Sequence, residues 1–378
     1  MNTQSEAYHK LLERACIRTI GPAATEVDIG RAFPRRSLEA LKKAGMMGAL
    51  SAVEAGGLGL GFCAAAAIIR RVAQECGSTA MVLCMHYCGV AVLEAYGPME
   101  VRRAAAAGEH LSTLAFSEEG SRSHFWAPLS TARAEGGEVI LDARKSWVTS
   151  ASAATAYVWS SRPLAASGLS TIWLVPADTP GLTIQGDFDG LGLRGNDSAP
   201  VTARAARIPA AAMLGEDGKG FDLMIGTVLP VFNLLSAACA VGLMEAAVRR
   251  TAGHAAAVRH SDTGGRLADL PTIRNYIARM RVKADMARTL LDDTAQALEC
   301  GRADTMLRVL ECKAAAGEAA DEVLSLAMRV CGGAAFRKEV GVERYFRDAR
   351  AASVMAPTTD VLYEFIGKSV CGMDLFQD

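Results

Sequence analysis

The chain has 378 residues, enough for two or three domains with a large hydrophobic core. Its 40 basic and 41 acidic side chains nearly cancel, which argues against a protein that binds nucleic acid or an anionic membrane surface. The ten cysteines form no CxxC pair and the six histidines no HExxH pattern, so we expect neither a disulfide framework nor a metal site. No signal peptide or membrane span is recognisable, and we therefore expect a soluble, cytoplasmic protein.

Apolar residues recur at helical spacing throughout the N-terminal segment. Pro34 begins one helix, and alanine-rich helices are predicted from Ala64 to Gln74 and from Ser78 to Tyr96. The glycine-rich run 54–61 follows no predicted strand and lacks the GxGxxG spacing, so we interpret it as a turn between helices and not as a nucleotide-binding loop. His86 is predicted to be a buried core histidine.

Strand-like segments replace the helices after residue 110. Runs of β-branched and aromatic residues, separated by Gly, Pro and Ser, cover 138–141, 156–159, 171–176 and 201–203. Gly136-Gly137 lies just ahead of the first run and is typical of a two-residue hairpin turn. The sequence therefore predicts a small, mostly antiparallel β domain.

Helical spacing returns in the last third of the chain. The run 221–256 is apolar almost all round, as expected for a helix at the centre of a bundle. Further helices are predicted near 271–300, 303–330 and 361–371. The predicted fold is α+β, with an N-terminal helical domain (1–110), a middle β domain (111–217) and a C-terminal four-helix bundle (218–378).

The stretch from Leu114 to Ser150 carries the strongest functional signal. Within it Ser117 follows Phe116, and Thr149 comes two residues after Trp147, so each predicted strand end has a hydroxyl beside a large ring. Such pairs suit a flat, hydrogen-bonding heterocycle such as a flavin, which needs an apolar wall and a few polar contacts. An ordinary hairpin with a core tryptophan has the same pattern, and these residues alone leave both interpretations open.

Four motifs, in order, resemble those of the acyl-CoA dehydrogenase superfamily over nearly the whole chain. The first two are Phe116-Ser117-Glu118 to Ser123, which resembles the family's x-T-E-P-x-x-G-S, and Lys145-Ser146-Trp147-Val148-Thr149, which resembles K-x-W-I-T. The third is Leu191–Asp197 with Ile208-Pro209 and Leu214–Phe221, similar to L-G-x-R-x-S-D…V-P…L-G…G-x-G-F. The fourth is Cys331-Gly332-Gly333 with Val342–Arg350, similar to G-G…x-E-R-x-x-R-D-A-R.

The resemblance implies FAD as cofactor, held between the β domain and the C-terminal bundle, in a homodimer or homotetramer whose sites are completed by a second subunit. The residues that it assigns to the cofactor are Leu114, Phe116, Ser117, Ser123, Trp147, Thr149, Arg259, Arg329, Gly332, Gly333, Thr358 and Asp360. Those that it assigns to the substrate are Ser123, His124, Phe232 and Asn233.

The chain departs from the family at the catalytic base. In ordinary members a glutamate soon after R-D-A-R removes the α-proton of the acyl thioester while the β-hydride passes to the flavin, and here Ala356 occupies that position. Other members place the base on the central helix, where this chain has Phe232 beside Asn233. The nearest carboxylates in sequence are Asp360 and Glu364, of which Asp360 is the candidate base.

The resemblance implies a flavin-dependent oxidoreductase acting on the CH–CH group of an acyl thioester, bound to coenzyme A or a carrier protein, with an acceptor flavoprotein as electron partner. The missing base leaves two alternatives on the same fold. One is a monooxygenase supplied by a flavin reductase, and the other is a non-oxidative, desulfinase-like eliminating enzyme. A degenerate scaffold protein, which keeps the fold but has no catalytic activity, is disfavoured, because such a protein has no need of a flavin wall formed by Ser117, Trp147 and Thr149.

Overall fold

Helices make up the N-terminal segment of the computed structural model, which describes residues 3–121, 124–186, 188–262 and 264–376, with side chains from residue 8. The helices are α1 (Thr3–Ala15), α2 (Gly21–Ile29), α3 (Arg35–Lys43), α4 (Phe62–Ala73), α5 (Gly77–Tyr96) and α6 (Met99–Ala106). A short 3₁₀ turn at Val53–Ala55 and further turns fill the glycine-rich run ahead of α4. Its interpretation as a connection between helices is therefore confirmed.

His86 is a buried histidine with both ring nitrogens engaged, as predicted. Its Nδ1 accepts a hydrogen bond from the Ser112 backbone N–H at 3.2 Å, so Nε2 carries the proton and donates to the Met47 carbonyl oxygen at 3.1 Å. Burial, with a contribution from nearby His110, lowers the pKa of His86 to about 4. The ring is therefore neutral at physiological pH and serves the packing of the helices.

Packing divides the chain into two units, each assembled from several stretches of sequence. The first comprises residues 1–65, 81–189 and 194–232 and holds the β strands. The second comprises residues 66–80, 190–193 and 233–378 and holds the C-terminal helices. The three-domain division at residues 110 and 217 stays a prediction.

In the part of the chain that the structure describes, the β domain consists of two four-stranded sheets. Its strands are β1 (Ser112–Ala115), β2 (Thr131–Glu135), β3 (Glu138–Val148), β4 (Ala156–Ser161), β5 (Thr171–Pro176), β6 (Leu182–Ile184), β7 (Ala199–Pro209) and β8 (Met213–Leu214). One sheet has the order β1-β4-β5-β8, in which β1 and β4 are parallel and the other neighbours antiparallel. The other sheet, β2-β3-β7-β6, is antiparallel throughout, so the prediction of a mostly antiparallel domain is confirmed.

The hairpin between β2 and β3 turns at the predicted glycine pair. Gly136 and Gly137 have φ angles of 59° and 87°, and a type I′ turn requires left-handed backbone at both positions. Side chains from both sheets form a shared core that includes the fully buried Trp159 and Trp173. The Trp173 indole N–H donates to the Ser161 hydroxyl at 2.8 Å, which satisfies its polar atom within that core.

Helices follow the β domain to the end of the described chain. They are α7 (Gly220–Leu223), α8 (Leu229–Ala257), α9 (Pro271–Cys300), α10 (Thr305–Cys331), α11 (Val342–Ala349), α12 (Ala351–Val354) and α13 (Thr359–Val370). In the second unit α10 packs against α9, α11, α12 and α13. The predicted order of helical, β and helical segments is confirmed.

Among the described residues, two helical runs are long and apolar enough to cross a membrane, namely α5 and the continuous run Gly220–Ala257. In each of them 83% of the most apolar 18-residue window is buried within the protein. Burial of this extent is typical of core helices in a folded domain.

Close packing of α8 in the second unit depends on Gly242. A Cβ atom at this position would lie 2.3 Å from the Arg70 carbonyl oxygen and 2.8 Å from the Ala73 Cβ of α4. Both distances are shorter than van der Waals contact, so α4 and α8 approach each other here only because residue 242 has no side chain. Gly253, on the same helix, has no atom of the described residues within 4 Å of its would-be Cβ.

We expect Gly242→Ala to destabilise the fold and Gly253→Ala to leave it unchanged or slightly stabilised. Overpacking against the α4 backbone costs about 1–3 kcal/mol, whereas alanine at an open helical position is favoured by about 0.5–1 kcal/mol. Urea unfolding of the two variants measures both effects. Equal midpoints would show that α4 and α8 can separate without cost at Gly242.

Candidate functional site

A buried ion pair joins the segment after β1 to the end of β3. The Lys145 Nζ donates to Glu118 Oε1 at 2.5 Å, and the two side chains are almost completely buried. Lys145 also donates to the Ser160 carbonyl oxygen at 2.7 Å. The other carboxylate oxygen of Glu118 accepts the backbone N–H groups of Leu129 and Ser130 at 2.5 and 2.9 Å. Each charge is therefore surrounded by hydrogen bonds, the condition under which a buried pair is tolerated.

Both members of this pair are charged at neutral pH. Burial lowers the pKa of Lys145 to about 8, against the opposing effect of the Glu118 charge. For Glu118, burial raises the pKa, but the Lys145 charge and the hydrogen bonds outweigh it, so the net pKa lies below its ordinary value. Both residues lie within recognisable sequence motifs, but their pairing could not be predicted from sequence, because it spans 27 residues along the chain.

Trp147 lies at a β-bulge and points its ring into open space. The register of β3 on β7 shifts between Lys145 and Val148, which forms the bulge. Trp147 has a φ angle of 55°, a left-handed conformation that costs a bulky residue about 1–3 kcal/mol. Its side chain is 72% exposed. The interpretation as a core tryptophan is therefore wrong, and a strained, exposed indole fits a wall for a bound group.

The other residues predicted beside the flavin ring lie next to the bulge. The Ser146 backbone N–H donates to the Ser117 carbonyl oxygen at 2.9 Å, which brings the segment after β1 against the bulge. Thr149 is buried, and its hydroxyl shares a hydrogen bond with the Ser198 hydroxyl at 3.3 Å. Phe116 is also buried. Ser117, Trp147 and Thr149 are thus brought together, while their contacts with a cofactor stay a prediction.

Leu114 and the aromatic segment around residue 125 belong to the first unit. Leu114, on β1, is buried. The His124 ring stacks on Trp126 with centroids 4.9 Å apart, and Phe125 is buried with its ring edge-on to Trp126. Ser123, predicted to contact both cofactor and substrate, lies outside the described residues. The role of His124 towards substrate stays a prediction.

Ala356 lies in the short connection between α12 and α13. It is half-buried, and Thr358 caps α13, its hydroxyl accepting the Val361 backbone N–H at 3.4 Å. Asp360, the candidate base, is exposed on the first turn of α13. No contact of the described residues assigns Asp360 a catalytic role, and that role stays a prediction.

The second base position, on α8, is apolar. Phe232 is buried, and the adjoining Asn233 is completely buried in the second unit. The Asn233 amide nitrogen is 3.5 Å from the Val309 carbonyl oxygen, and its Oδ1 has no hydrogen-bond partner among the described residues. Neither a phenyl ring nor a carboxamide removes a carbon-bound proton, so α8 supplies no general base at these positions. Their assignment to the substrate stays a prediction.

The residues assigned to the distal end of the cofactor lie in the second unit and are open to solvent. The Arg259 guanidinium donates to the Gly264 carbonyl oxygen at 3.2 Å, and that of Arg329 lies 5.5 Å from the centre of the Tyr276 ring. A Cβ on Gly332 or Gly333 would meet no atom of the described residues within 4 Å. These features leave room for a bound group, and the four assignments stay predictions.

Protein-family models match in three consecutive segments. They are the N-terminal domain of acyl-CoA dehydrogenase at residues 2–107, its middle domain at 113–205 and its C-terminal domain at 218–371.

Relatives match over nearly the full length. The human mitochondrial short-chain specific acyl-CoA dehydrogenase is 30% identical over 367 residues, covering 93% of this chain and 87% of that protein. Among solved structures, the prolyl acyl carrier protein oxidase AnaB has a TM-score of 0.89 at 19% identity, covering 98% of this chain and 99% of that one. The FAD complex of PigA has a TM-score of 0.88 at 21% identity and covers 98% of both chains.

We expect Lys145→Met to destabilise the β domain by about 3–5 kcal/mol, because Glu118 is left buried without its counter-charge. The double variant Glu118→Gln with Lys145→Met should recover part of that loss, since it removes both charges. Arg207→Met is the matched control, because its ion pairs with Glu135 and Glu138 are exposed on the same domain. Denaturant unfolding measures all three, and a control as unstable as Lys145→Met would contradict the role of burial.

Proposed function

The chain belongs to the acyl-CoA dehydrogenase family, and from that premise we propose that it is an FAD-dependent oxidoreductase acting on the CH–CH group of an acyl thioester. Membership of the family supports FAD as the cofactor and an acyl thioester as the substrate. The observation that carries the proposal is the strained, exposed indole of Trp147, with Ser117 and Thr149 beside it.

The residues of this first unit fit a flavin ring. Trp147 offers an apolar face, and the hydroxyls of Ser117 and Thr149 offer hydrogen bonds to a heterocycle edge. Bound FAD supplies the acceptor for the hydride that leaves the β-carbon of the thioester. The chain's own part is to hold the ring, orient the acyl group against it and exclude water from the reaction.

The α-proton is the difficulty for this reaction, because Ala356 and Phe232 occupy the two positions where family members carry a base. We propose that a straight-chain thioester is a poor substrate and that the natural one has an α-proton accessible to another group, with Asp360 as the candidate. The same two residues favour a second candidate function, oxygenation or desulfinase-like elimination on this fold, in which no α-proton is removed.

Further partners are proposed from the family alone. An acyl-CoA or acyl-carrier-protein substrate and an electron-transferring flavoprotein, or a flavin reductase for the monooxygenase alternative, fit the proposed chemistry. We also propose a cytoplasmic homodimer or homotetramer whose cofactor site is completed by a second subunit. In support, Phe336 follows the Gly332-Gly333 pair and is 80% exposed in the single chain, which suits burial in an assembly.

Anaerobic flavin absorbance separates the candidate functions. Oxidation of a thioester bleaches the FAD-loaded protein when acyl-CoAs or acyl-carrier proteins are added without oxygen. A monooxygenase leaves the oxidised flavin unchanged under those conditions and consumes oxygen only after a reductase supplies reduced flavin. An eliminating enzyme releases product with no net change in flavin absorbance. Absence of FAD binding under any condition would overturn the proposal as a whole.

We expect the unmodified protein to reduce its flavin only slowly with butyryl- or octanoyl-CoA, because general-base help contributes about 10²–10⁴-fold. Ala356→Glu should accelerate that reduction, with part of the gain withheld by Pro357, whose ring restricts the backbone. Val354→Glu is the control, because it adds a carboxylate at an exposed position of α12. Rapid bleaching by the unmodified protein would show that a base lies elsewhere, and Asp360→Asn is then the variant to make.

We expect Thr149→Val to weaken FAD binding by about 1–2 kcal/mol, the cost of leaving a buried partner without its hydrogen bond. Thr183→Val, on an exposed position of β6, is the control for the same change of side chain. Equilibrium titration of apoprotein with FAD gives both affinities. Identical affinities in the two variants would remove Thr149 from the cofactor site.

A further inference from the structure

Lys313 lies on the buried, mostly apolar face of α10. Its side chain is 1% exposed, and its neighbours Val309, Leu310 and Cys312 on the same helix are also buried. A lysine is rarely buried unless its ammonium group is fully hydrogen-bonded, because removing that charge from water is costly. The position therefore calls for specific acceptors.

The acceptors are backbone carbonyl oxygens around Ala356. The Lys313 Nζ donates to the carbonyl oxygens of Pro357 at 2.7 Å, Met355 at 2.9 Å and Ala352 at 3.3 Å. Three acceptors match the three protons of an ammonium group. Burial lowers the pKa of Lys313 to about 7, while the carbonyl oxygens favour the charged form. These hydrogen bonds tie the Lys313 side chain to the backbone around residue 356.

The same face of α10 holds both helices next to this connection. One turn after Lys313, a Cβ at Gly317 would lie 3.2 Å from the Thr359 hydroxyl of α13 and 3.5 Å from the Ser353 Cα of α12. One turn further, the Asp321 carboxylate accepts the Ser353 hydroxyl at 3.0 Å. Positions 313, 317 and 321 recur every four residues, so one stripe of α10 fixes the end of α12, the connection and the start of α13.

We propose that Lys313 is a positioning residue: it clamps the carbonyls on both sides of residue 356 and so sets how a side chain at that position, alanine in this chain, is directed towards substrate. The link to substrate rests on the proposed function, whereas the clamp itself rests on the three hydrogen bonds. It follows that the chain retains the support for a side chain at 356 although alanine now occupies the position.

Hydrogen exchange of the FAD-loaded protein tests the clamp without any substrate. In Lys313→Met, the backbone amides of residues 353–356 and 358 should exchange about tenfold faster or more while α9 keeps its protection, because local hydrogen bonds are lost without loss of the global fold. Lys313→Arg keeps charged donors and should retain more of the protection. Leu324→Ala, a cavity variant deep in α10, is the control for general loss of stability. Uniformly faster exchange in Lys313→Met, matching that of Leu324→Ala, overturns the proposal.

Flavin reduction in an Ala356→Glu background tests the link to the reaction. If Ala356→Glu accelerates reduction by octanoyl-CoA, adding Lys313→Met should remove about tenfold or more of the limiting rate, within the range of general-base help. The substrate concentration for half-maximal rate should change much less, and adding Leu324→Ala should preserve the gain. A retained gain in the Lys313→Met double variant overturns the positioning role. If Ala356→Glu alone gives no gain, the proposed function is contradicted at this position, while hydrogen exchange still decides whether Lys313 is a clamp.

Discussion

The ion pair between Glu118 and Lys145 is the contact on which the first unit's site depends. It ties the segment after β1 to β3 immediately beside the bulge that carries Trp147. Because it is buried, its hydrogen bonds must all be made together, and the backbone of both strand ends is fixed as a consequence. An exposed pair at the same place would tolerate small displacements and would hold the indole and the hydroxyls less firmly.

Local sequence signals predicted the fold well. The Gly136-Gly137 turn, the burial of His86 and the bounds of the long helices follow from chemistry within a few residues of each feature. The conformation of Trp147 could not be predicted this way, because a bulge depends on the register of β3 against β7, and β7 begins 51 residues after the end of β3. Its exposure rules out a core tryptophan, while the contact with a flavin stays a prediction.

The supports of the site were missed for the same reason. Glu118 and Lys145 each lie in a recognisable sequence motif, but nothing in the neighbouring sequence indicates that they form an ion pair. Lys313 drew no attention, since a lysine on an amphipathic helix is ordinarily an exposed residue, and only its carbonyl partners 39 to 44 residues away distinguish it. The absence of a glutamate at the family's base position could be predicted from the sequence alone. It depends on one side chain, Ala356, at a position that neighbouring motifs define.

The backbone of Trp147 also bears on how the protein can change under selection. A tryptophan in the left-handed backbone conformation lowers the stability of the fold, since glycine adopts the same φ without strain. Glycine at this position would also remove a large apolar surface from water. Any pressure that rewards thermal robustness or solubility alone therefore acts against this residue. Under the proposed function, variants isolated for higher expression should accumulate changes at the bulge and lose cofactor as they do so, a stability–activity trade-off concentrated in one side chain.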